Sequence, residues 1–370
     1  MASSKTEEPE GVPVRKEEVK RFMVDCMIKA GAEESHASQL ADTLVSGDYR
    51  GHYSHGLNRL DMYVKEVKSG LCLGRGQPEV LQERPATAWV NGKNLLGPVV
   101  GNFCMDLAIR KAKEFGVGWV VAKGSNHFGI AGWYSIRAAE QGLLGMAFTN
   151  TSPLMFPTRS KEIALGTNPL TLAAPGQNGD QFVLDMATTA VAFGKIELAD
   201  RKGEPIPNGW GADANGMETN DTRACLTDGG LLPLAGSEIC CGYKGYGLAV
   251  LVEILCGISA GADWGPHVRR WKTADKVANL GQCFVAVDPQ SFAPGFEGRM
   301  QEFMEDLRHL QPIDPQKPVL VAGDPERENM AKCDQIGGIP YHPNQITHAI
   351  ELAKELGVRP METIRTPRTS

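Results

Sequence analysis

Ser54 and His55, followed by Gly56 and then by Arg59 four positions after the histidine, form the stretch of this chain best suited to acid–base chemistry. They lie in the run GDYRGHYSHGLNRL, Gly47 to Leu60, where apolar spacing predicts the opening of a third helix. A helix start carries unpaired backbone N–H groups and a partial positive charge, and both suit an anionic carboxylate. Residues four apart share a helical face, so the spacing predicts His55 and Arg59 side by side. Reduction of a 2-oxo acid needs such a pair: the guanidinium fork grips the carboxylate while the imidazole protonates the carbonyl oxygen as hydride arrives. An imidazole with an ordinary pKa of about 6.5 can cycle at neutral pH. The same residues also read as a helix cap, with Ser54 bonding a backbone amide and His55 half-buried. Zinc is a further reading for His52 and His55, with help from His127, but there is no H-E-x-x-H and no clear third ligand. No metal is expected.

A second patch, KGSNHFGIAGWY from Lys123 to Tyr134, follows a predicted strand and opens a predicted helix. Glycine-rich turns of this kind receive phosphate or are simply solvated. GTNP at Gly166 to Pro169, VLDMATT at Val183 to Thr189 and GYKGYG at Gly242 to Gly247 add polar loop residues beside glycines that permit close approach. No G-x-G-x-x-G follows a first strand, and neither a P-loop nor a G-x-S-x-G nucleophile motif occurs.

The elements that must hold these residues follow from periodicity. From Val14 to about Lys68 apolar residues recur at helical spacing, with Val19, Phe22, Met23 and Cys26, then Leu40, Ala41, Leu44 and Val45, then Leu60, Tyr63, Val64 and Val67. Three helices are expected, the first two stopping at Gly31 and Gly47. Beyond a boundary near Gly76 to Glu79, strand-like runs (Thr87 to Val90, Gly118 to Ala122, Leu143 to Thr149, Leu170 to Ala174, Phe182 to Met186, Cys283 to Val287) alternate with helical stretches such as Val99 to Glu114. The apolar run Leu248 to Ala260 reads as a buried helix, too short to span a bilayer and interrupted by Glu253 and Gly257. From Glu297 helix returns, with Phe303, Met304 and Leu307 on one face, and a last helix runs from Asn344 to Glu355. The expected division is a helical segment over 14–78, an α/β domain over 79–290 and a largely helical segment over 291–360 that returns to the first helices. Arg365 to Ser370 read as a frayed end.

Composition bounds the partners. A chain of 370 residues suits two domains at roughly 150 residues each. The balance of 38 Lys+Arg against 44 Asp+Glu, net −6, leaves no basic footprint for nucleic acid or anionic lipid. Nine cysteines without a C-x-x-C pair, Cys240 and Cys241 being adjacent, read as reduced thiols of a cytoplasmic protein. The polar, acidic opening MASSKTEEPEGV has the character of neither a signal nor a transit peptide. A small molecule is the expected partner.

In this order and spacing, SHGLNRL, SNHFGIAGWY, GTNPL, FVLDMATTAVAFGKI and GYKGYGLAVLVEIL closely resemble the type-2 malate/L-lactate dehydrogenase family, from Val14 to about Ile339. The resemblance implies a homodimer with a non-Rossmann α/β nicotinamide-binding domain and a helical domain built from both ends of the chain. It implies His55 as proton donor assisted by Ser54, Arg59 on the substrate carboxylate and Thr167 near the substrate. His127 competes, because the histidine of the second motif is the acid/base in some members. For NAD or NADP it points to His127, Phe128 and Gly129, to Leu184, Asp185, Met186, Ala187 and Thr188, to Lys244 and Gly245, and to Gly323 and Asp324 in a late loop, AGDPERE, that departs from the family's Pro-Gly-Glu form. Lys195 matches the hydroxy-acid enzymes, whereas reducers of cyclic imino acids tend to carry a carboxylate there. The activity implied is interconversion of a small 2-oxo acid and its L-2-hydroxy acid. The alternatives are reduction of a cyclic imino acid, or an inactive metabolite-binding dimer.

Overall fold

A computed structural model describes residues 11–270, 273 and 276–364 of the chain, so the readings made for the first ten residues and for Arg365 to Ser370 lie outside the described residues. Two units emerge, one combining residues up to Arg75 with those from Asp324 onward, the other running from Gly76 to Gly323.

In the first unit, helices Lys16–Ala30 and Glu34–Tyr49 bury Val19, Phe22, Met23 and Cys26 with Leu40, Ala41 and Leu44. Gly31 ends the first helix in a left-handed conformation, φ 111°, that favours glycine. Gly47 does not end the second. It sits inside the helix, which runs on to Tyr49, and it faces the His55–Gly56 peptide, so that an added Cβ would lie 3.4 Å from the His55 carbonyl oxygen. The reversal falls instead at Gly51, φ 89°. The third helix starts only at Leu60 and ends at Lys68. From the other end of the chain come helix Asp324–Ile336, strand Ile339–Tyr341, which pairs antiparallel with Val12–Val14, and helix Pro343–Leu356.

The second unit is built on a seven-stranded sheet. Its order is Glu79–Glu83, Thr87–Asn91, Val117–Ser125, Leu280–Val287, Leu144–Thr149, Leu170–Pro175 and Gln181–Met186. Thr87–Asn91 and Val117–Ser125 run parallel, and every other neighbouring pair is antiparallel. That pattern is not the parallel, doubly wound sheet of a Rossmann fold. Central strand Leu280–Val287 is buried along its length, and its side chains alternate between two cores. Phe284 and Ala286 join the core of helices Gly97–Phe115 and Gly132–Ala139, while Cys283 and Val285 meet Val252 and Cys256. Full burial of a side chain such as Phe284 stabilises by about 1.5–3 kcal/mol.

Three expectations need correction. The run Leu248 to Ala260 is α-helical only to Glu253, continues as a π turn over Ile254–Ile258, and is buried on one side alone: Leu251, Ile254 and Ile258 are 44%, 51% and 51% exposed. Helix Phe296–Arg308 buries Met304 but leaves Phe303 exposed, because adjacent helical residues point about 100° apart. It belongs to the sheet unit, which moves the second boundary from near 290 to 323. Arg308 pairs with Asp180 at 2.6 Å, and the Gln301 side chain accepts the Gln177 N–H at 3.1 Å. Among the described residues no helix is long and apolar enough to cross a membrane, and all nine cysteines are free.

Candidate active site

His55 and Arg59 do not share a helical face. Tyr53–His55 and Leu57–Arg59 are separate 3₁₀ turns, broken by Gly56 at φ −105° and ψ −131°. The turn itself, rather than helical spacing, brings the two residues together: Arg59 folds back and its Nε donates to the Ser54 carbonyl oxygen at 2.7 Å. Ser54 Oγ lies 2.8 Å from His55 Nδ1, so the hydroxyl bonds the ring and caps no helix. Burial, with the nearby charges of Arg59 and His52, lowers the His55 pKa to about 4. The imidazole therefore rests neutral at physiological pH.

Beneath this turn stands a residue that nothing in the sequence marks. Asp48, fully buried near the end of helix Glu34–Tyr49, accepts the Leu57 N–H and the Tyr341 hydroxyl on Oδ2, both at 2.8 Å. Its Oδ1 has no hydrogen-bond partner in the structure and faces Gly56, where an added Cβ would lie 1.9 Å away. Gly56 is therefore required by the carboxylate. Burial raises Asp48 to about 7, against the opposing pull of its two donors. A carboxyl whose folded pKa lies above its unfolded value is stabilising when protonated, so stability present below the ordinary carboxylate range is lost as pH rises through about 7. Asp48→Asn should remove about 2 to 4 kcal/mol of that pH dependence, at about 1.4 kcal/mol per pKa unit. Thermal melts of both proteins between pH 4.5 and 8 check this, and parallel profiles would acquit Asp48.

The zinc reading finds no support in geometry. His52 pairs with Glu326 at 3.3 Å, and among the described residues no group of three or more His, Cys, Asp or Glu could hold a metal ion.

In the sheet unit, His127 to Gly129 follow strand Val117–Ser125. The Gly129 N–H reaches His127 Nδ1 at 3.4 Å, and Gly129 takes φ 80°. Phe128 is buried, stacks on Tyr134 with ring centroids 4.7 Å apart, and gives its carbonyl oxygen to the Tyr134 hydroxyl at 2.6 Å. Asp185, near the end of strand Gln181–Met186, accepts the Gly132 N–H at 2.7 Å and so sets a negative charge at the start of helix Gly132–Ala139. The Leu184 carbonyl oxygen accepts from Thr171 Oγ1, which shares a bond with Ser135. Met186 closes the strand and Ala187 leads to Thr188, whose N–H and hydroxyl both donate to the Thr167 carbonyl oxygen, at 2.9 and 3.0 Å. The Leu234 N–H bonds the Thr188 carbonyl oxygen, and Gly245 packs on Leu234, where a Cβ would come within 2.4 Å of backbone. Thr167, Thr188 and Gly245 are thus contiguous. Lys244 is exposed in the first turn of helix Gly242–Glu253, and Lys195 lies over the Trp210 ring.

The late motif is not wholly a loop. Gly323, at φ 101°, closes the sheet unit, and Asp324 opens helix Asp324–Ile336, where it pairs with Arg327.

Residues 14–350 match the malate/L-lactate dehydrogenase family. The chain belongs to that family. It is 38% identical to a malate dehydrogenase of Pyrococcus abyssi over 354 residues, covering 95% of this chain and 97% of that one. It is 36% identical to an L-sulfolactate dehydrogenase of Methanocaldococcus jannaschii, covering 93% and 97%. The solved malate dehydrogenase of Pyrococcus horikoshii superposes with a TM-score of 0.88 at 35% identity, over 97% of this chain and all of that one.

Membership in the malate/L-lactate dehydrogenase family makes this chain a dehydrogenase of hydroxy acids and implies a nicotinamide cofactor. The sheet unit has features that fit a dinucleotide. Lys244 offers a cation at a helix start whose backbone N–H groups favour phosphate. Asn126, beside the Gly129 turn, is buried with its Oδ1 unpartnered.

Proposed function

We propose that this family member interconverts a small 2-oxo acid and its L-2-hydroxy acid with NAD or NADP, His55 serving as acid and base and Arg59 holding the substrate carboxylate. One observation carries the reading: the His55 ring, bonded to Ser54, lies across Gly56 from an arginine whose Nε folds back onto the Ser54 carbonyl oxygen. The malate and sulfolactate enzymes among its relatives point to substrates of this class. A nicotinamide held by the residues assigned to the cofactor would supply hydride for reduction and accept it in oxidation. In oxidation the neutral ring accepts the hydroxyl proton. In reduction it must first be charged, and an anionic carboxylate held by Arg59 favours that form by offsetting the guanidinium charge.

His127, Phe128 and Gly129, the segment Leu184 to Thr188, Lys244 and Gly245 are assigned to the cofactor, as are Gly323 and Asp324. Thr167 is assigned to the substrate. The assignment of His127 to the cofactor is supported by its place in the glycine turn, where its Nδ1 accepts the Gly129 N–H at 3.4 Å, and His127 stays the competing acid/base. Leu251, Ile254 and Ile258 are exposed apolar residues suited to a second copy of the chain and support a homodimer; the cytoplasm is assigned on the free cysteines.

Loss of reduced-nicotinamide absorbance with oxaloacetate, pyruvate, sulfopyruvate and a cyclic imino acid, each with NADH and NADPH, tests the activity. One of the two cofactors should also raise the melting temperature, since a ligand selective for the folded state stabilises it by about 2.7 kcal/mol at a hundred times its Kd. Lys244→Ala should weaken that shift. An unmoved melt with both cofactors would refute the assignment.

A further inference from the structure

Glu253 is a buried carboxylate with an unusual company. It closes helix Gly242–Glu253, where a π turn over Ile254–Ile258 begins, and among the described residues no Lys, Arg or His side chain pairs with it. Its two oxygens are met by three N–H donors instead. Oε1 accepts Asn150 Nδ2 at 2.7 Å and the Gly265 N–H at 3.0 Å, and Oε2 accepts Asn168 Nδ2 at 2.7 Å. A buried carboxyl group is costly unless its oxygens are bonded, and here both are.

The donors come from three separate segments, and one of them leads directly to the residues assigned to ligands. Asn168 is held at φ 33°, a left-handed conformation. Its Oδ1 accepts the Thr151 N–H at 3.1 Å, and its carbonyl oxygen shares the Thr188 hydroxyl with the Thr167 carbonyl oxygen, each at 3.0 Å. Thr151 Oγ1 in turn lies 3.3 Å from Thr167 Oγ1. The backbone is shaped around this hub: at Gly257 an added Cβ would come within 2.7 Å of Asn150 Nδ2 and 3.0 Å of Glu253 Oε1, and at Gly281 within 2.5 Å of the Cys256 carbonyl carbon. π turns concentrate at functional sites, and here the turn follows the carboxylate directly.

We infer that Glu253 is a positioning residue that fixes Thr167 and Thr188 relative to each other by way of Asn168. The inference rests on the reading that Thr167 lies at the substrate and Thr188 at the cofactor. Glu253 touches neither ligand in this scheme. It sets the register of the two segments that do, and small misplacements at a reacting centre are costly, about a hundredfold for 1 Å.

Glu253→Gln keeps the volume but turns one oxygen into an amide donor, which must face either Asn168 Nδ2 or the two donors of Oε1. Assayed well below its melting temperature, the folded variant should lose at least about tenfold in kcat/KM, because misplacement acts on the folded enzyme. A merely structural role would lower the melting temperature and leave the kinetics of the folded protein unchanged, and that result overturns the inference. Asn168→Gly, which keeps the left-handed backbone and removes the tether, should show the same loss, and it decides the matter if Glu253→Gln does not fold. Thr167→Ala separates this inference from the reading beneath it. Wild-type kinetics in Thr167→Ala would defeat the substrate assignment and the route through Thr167 together. Impaired Thr167→Ala beside unimpaired Glu253→Gln and Asn168→Gly would defeat the positioning role alone. In the double variant Glu253→Gln/Thr167→Ala the losses should not multiply. Full multiplication would deny that Glu253 acts through Thr167.

Discussion

His55→Asn is expected to lower turnover by about a hundredfold or more while leaving the cofactor-induced melting shift nearly intact. Asparagine is close in size and retains a polar group toward Ser54, so the turn should persist while proton transfer is lost. The pH profile adds a second check. Because burial and the Arg59 and His52 charges hold the ring near 4, it is deprotonated across the neutral range. Oxidation of the hydroxy acid, which needs the neutral ring in the free enzyme, should therefore gain kcat/KM as pH rises through about 4 and then level off. Reduction, which needs the charged ring, should fall as pH rises above that value. His127→Asn should instead weaken the cofactor shift. Abolished turnover with normal cofactor binding in His127→Asn, beside an active His55→Asn, would reverse the two assignments.

Arg59→Ala should cut kcat/KM with a carboxylate substrate by about 2 to 4 kcal/mol of transition-state stabilisation, the scale for losing one partner of a desolvated charge pair. Two effects combine. The substrate carboxylate loses its fork, and the Ser54 carbonyl oxygen loses the Nε donor that ties it to the turn. Removing this cation also removes one cause of the low His55 pKa, so the acid limb of the oxidation profile should move to higher pH. Arg59→Lys restores the charge but not the planar fork, and should recover only part of the loss. An arginine that merely decorated the turn would leave both variants near wild-type kinetics, and that outcome would remove the carboxylate role. The pH shift is independent of substrate affinity and can be followed by NMR titration of the ring.

Much of the fold is legible in the sequence because its signals are local. The six strand-like runs all fall on strands of the sheet, and Val99 to Glu114 lies within helix Gly97–Phe115, since apolar alternation and helical period are read from neighbouring residues. What escapes is set by contacts distant in sequence. Gly47 looks like a stop but is a packing glycine facing residues 55 and 56, and Gly56 is demanded by Asp48. Asp48 carries no sequence mark, because an acid inside a helix ordinarily reads as a solvated one, and Glu253 shows only as an acid interrupting an apolar run; their hydrogen-bond partners are Tyr341, 293 residues away, and Asn150, 103 residues away. That Ser54, His55 and Arg59 lie close together is legible in the sequence, though their geometry is not: a break at Gly56 does what the spacing assigns to a helical face.

The helical unit draws on both ends of the chain, and synthesis delivers those ends far apart in time. Asp48 leaves the ribosome 293 residues before Tyr341, the hydroxyl that completes its hydrogen bonding. At about 5–20 residues per second the interval is roughly 15 to 60 s. Throughout it the Ser54 to Arg59 turn is without its carboxy-terminal support, while every residue of the sheet unit is made. The turn proposed as the acid–base centre is therefore completed only after the sheet unit although its own residues are translated before it, and a nascent chain lacking the strand Ile339–Tyr341 should contain every residue of the sheet unit while that turn still lacks the Tyr341 hydroxyl.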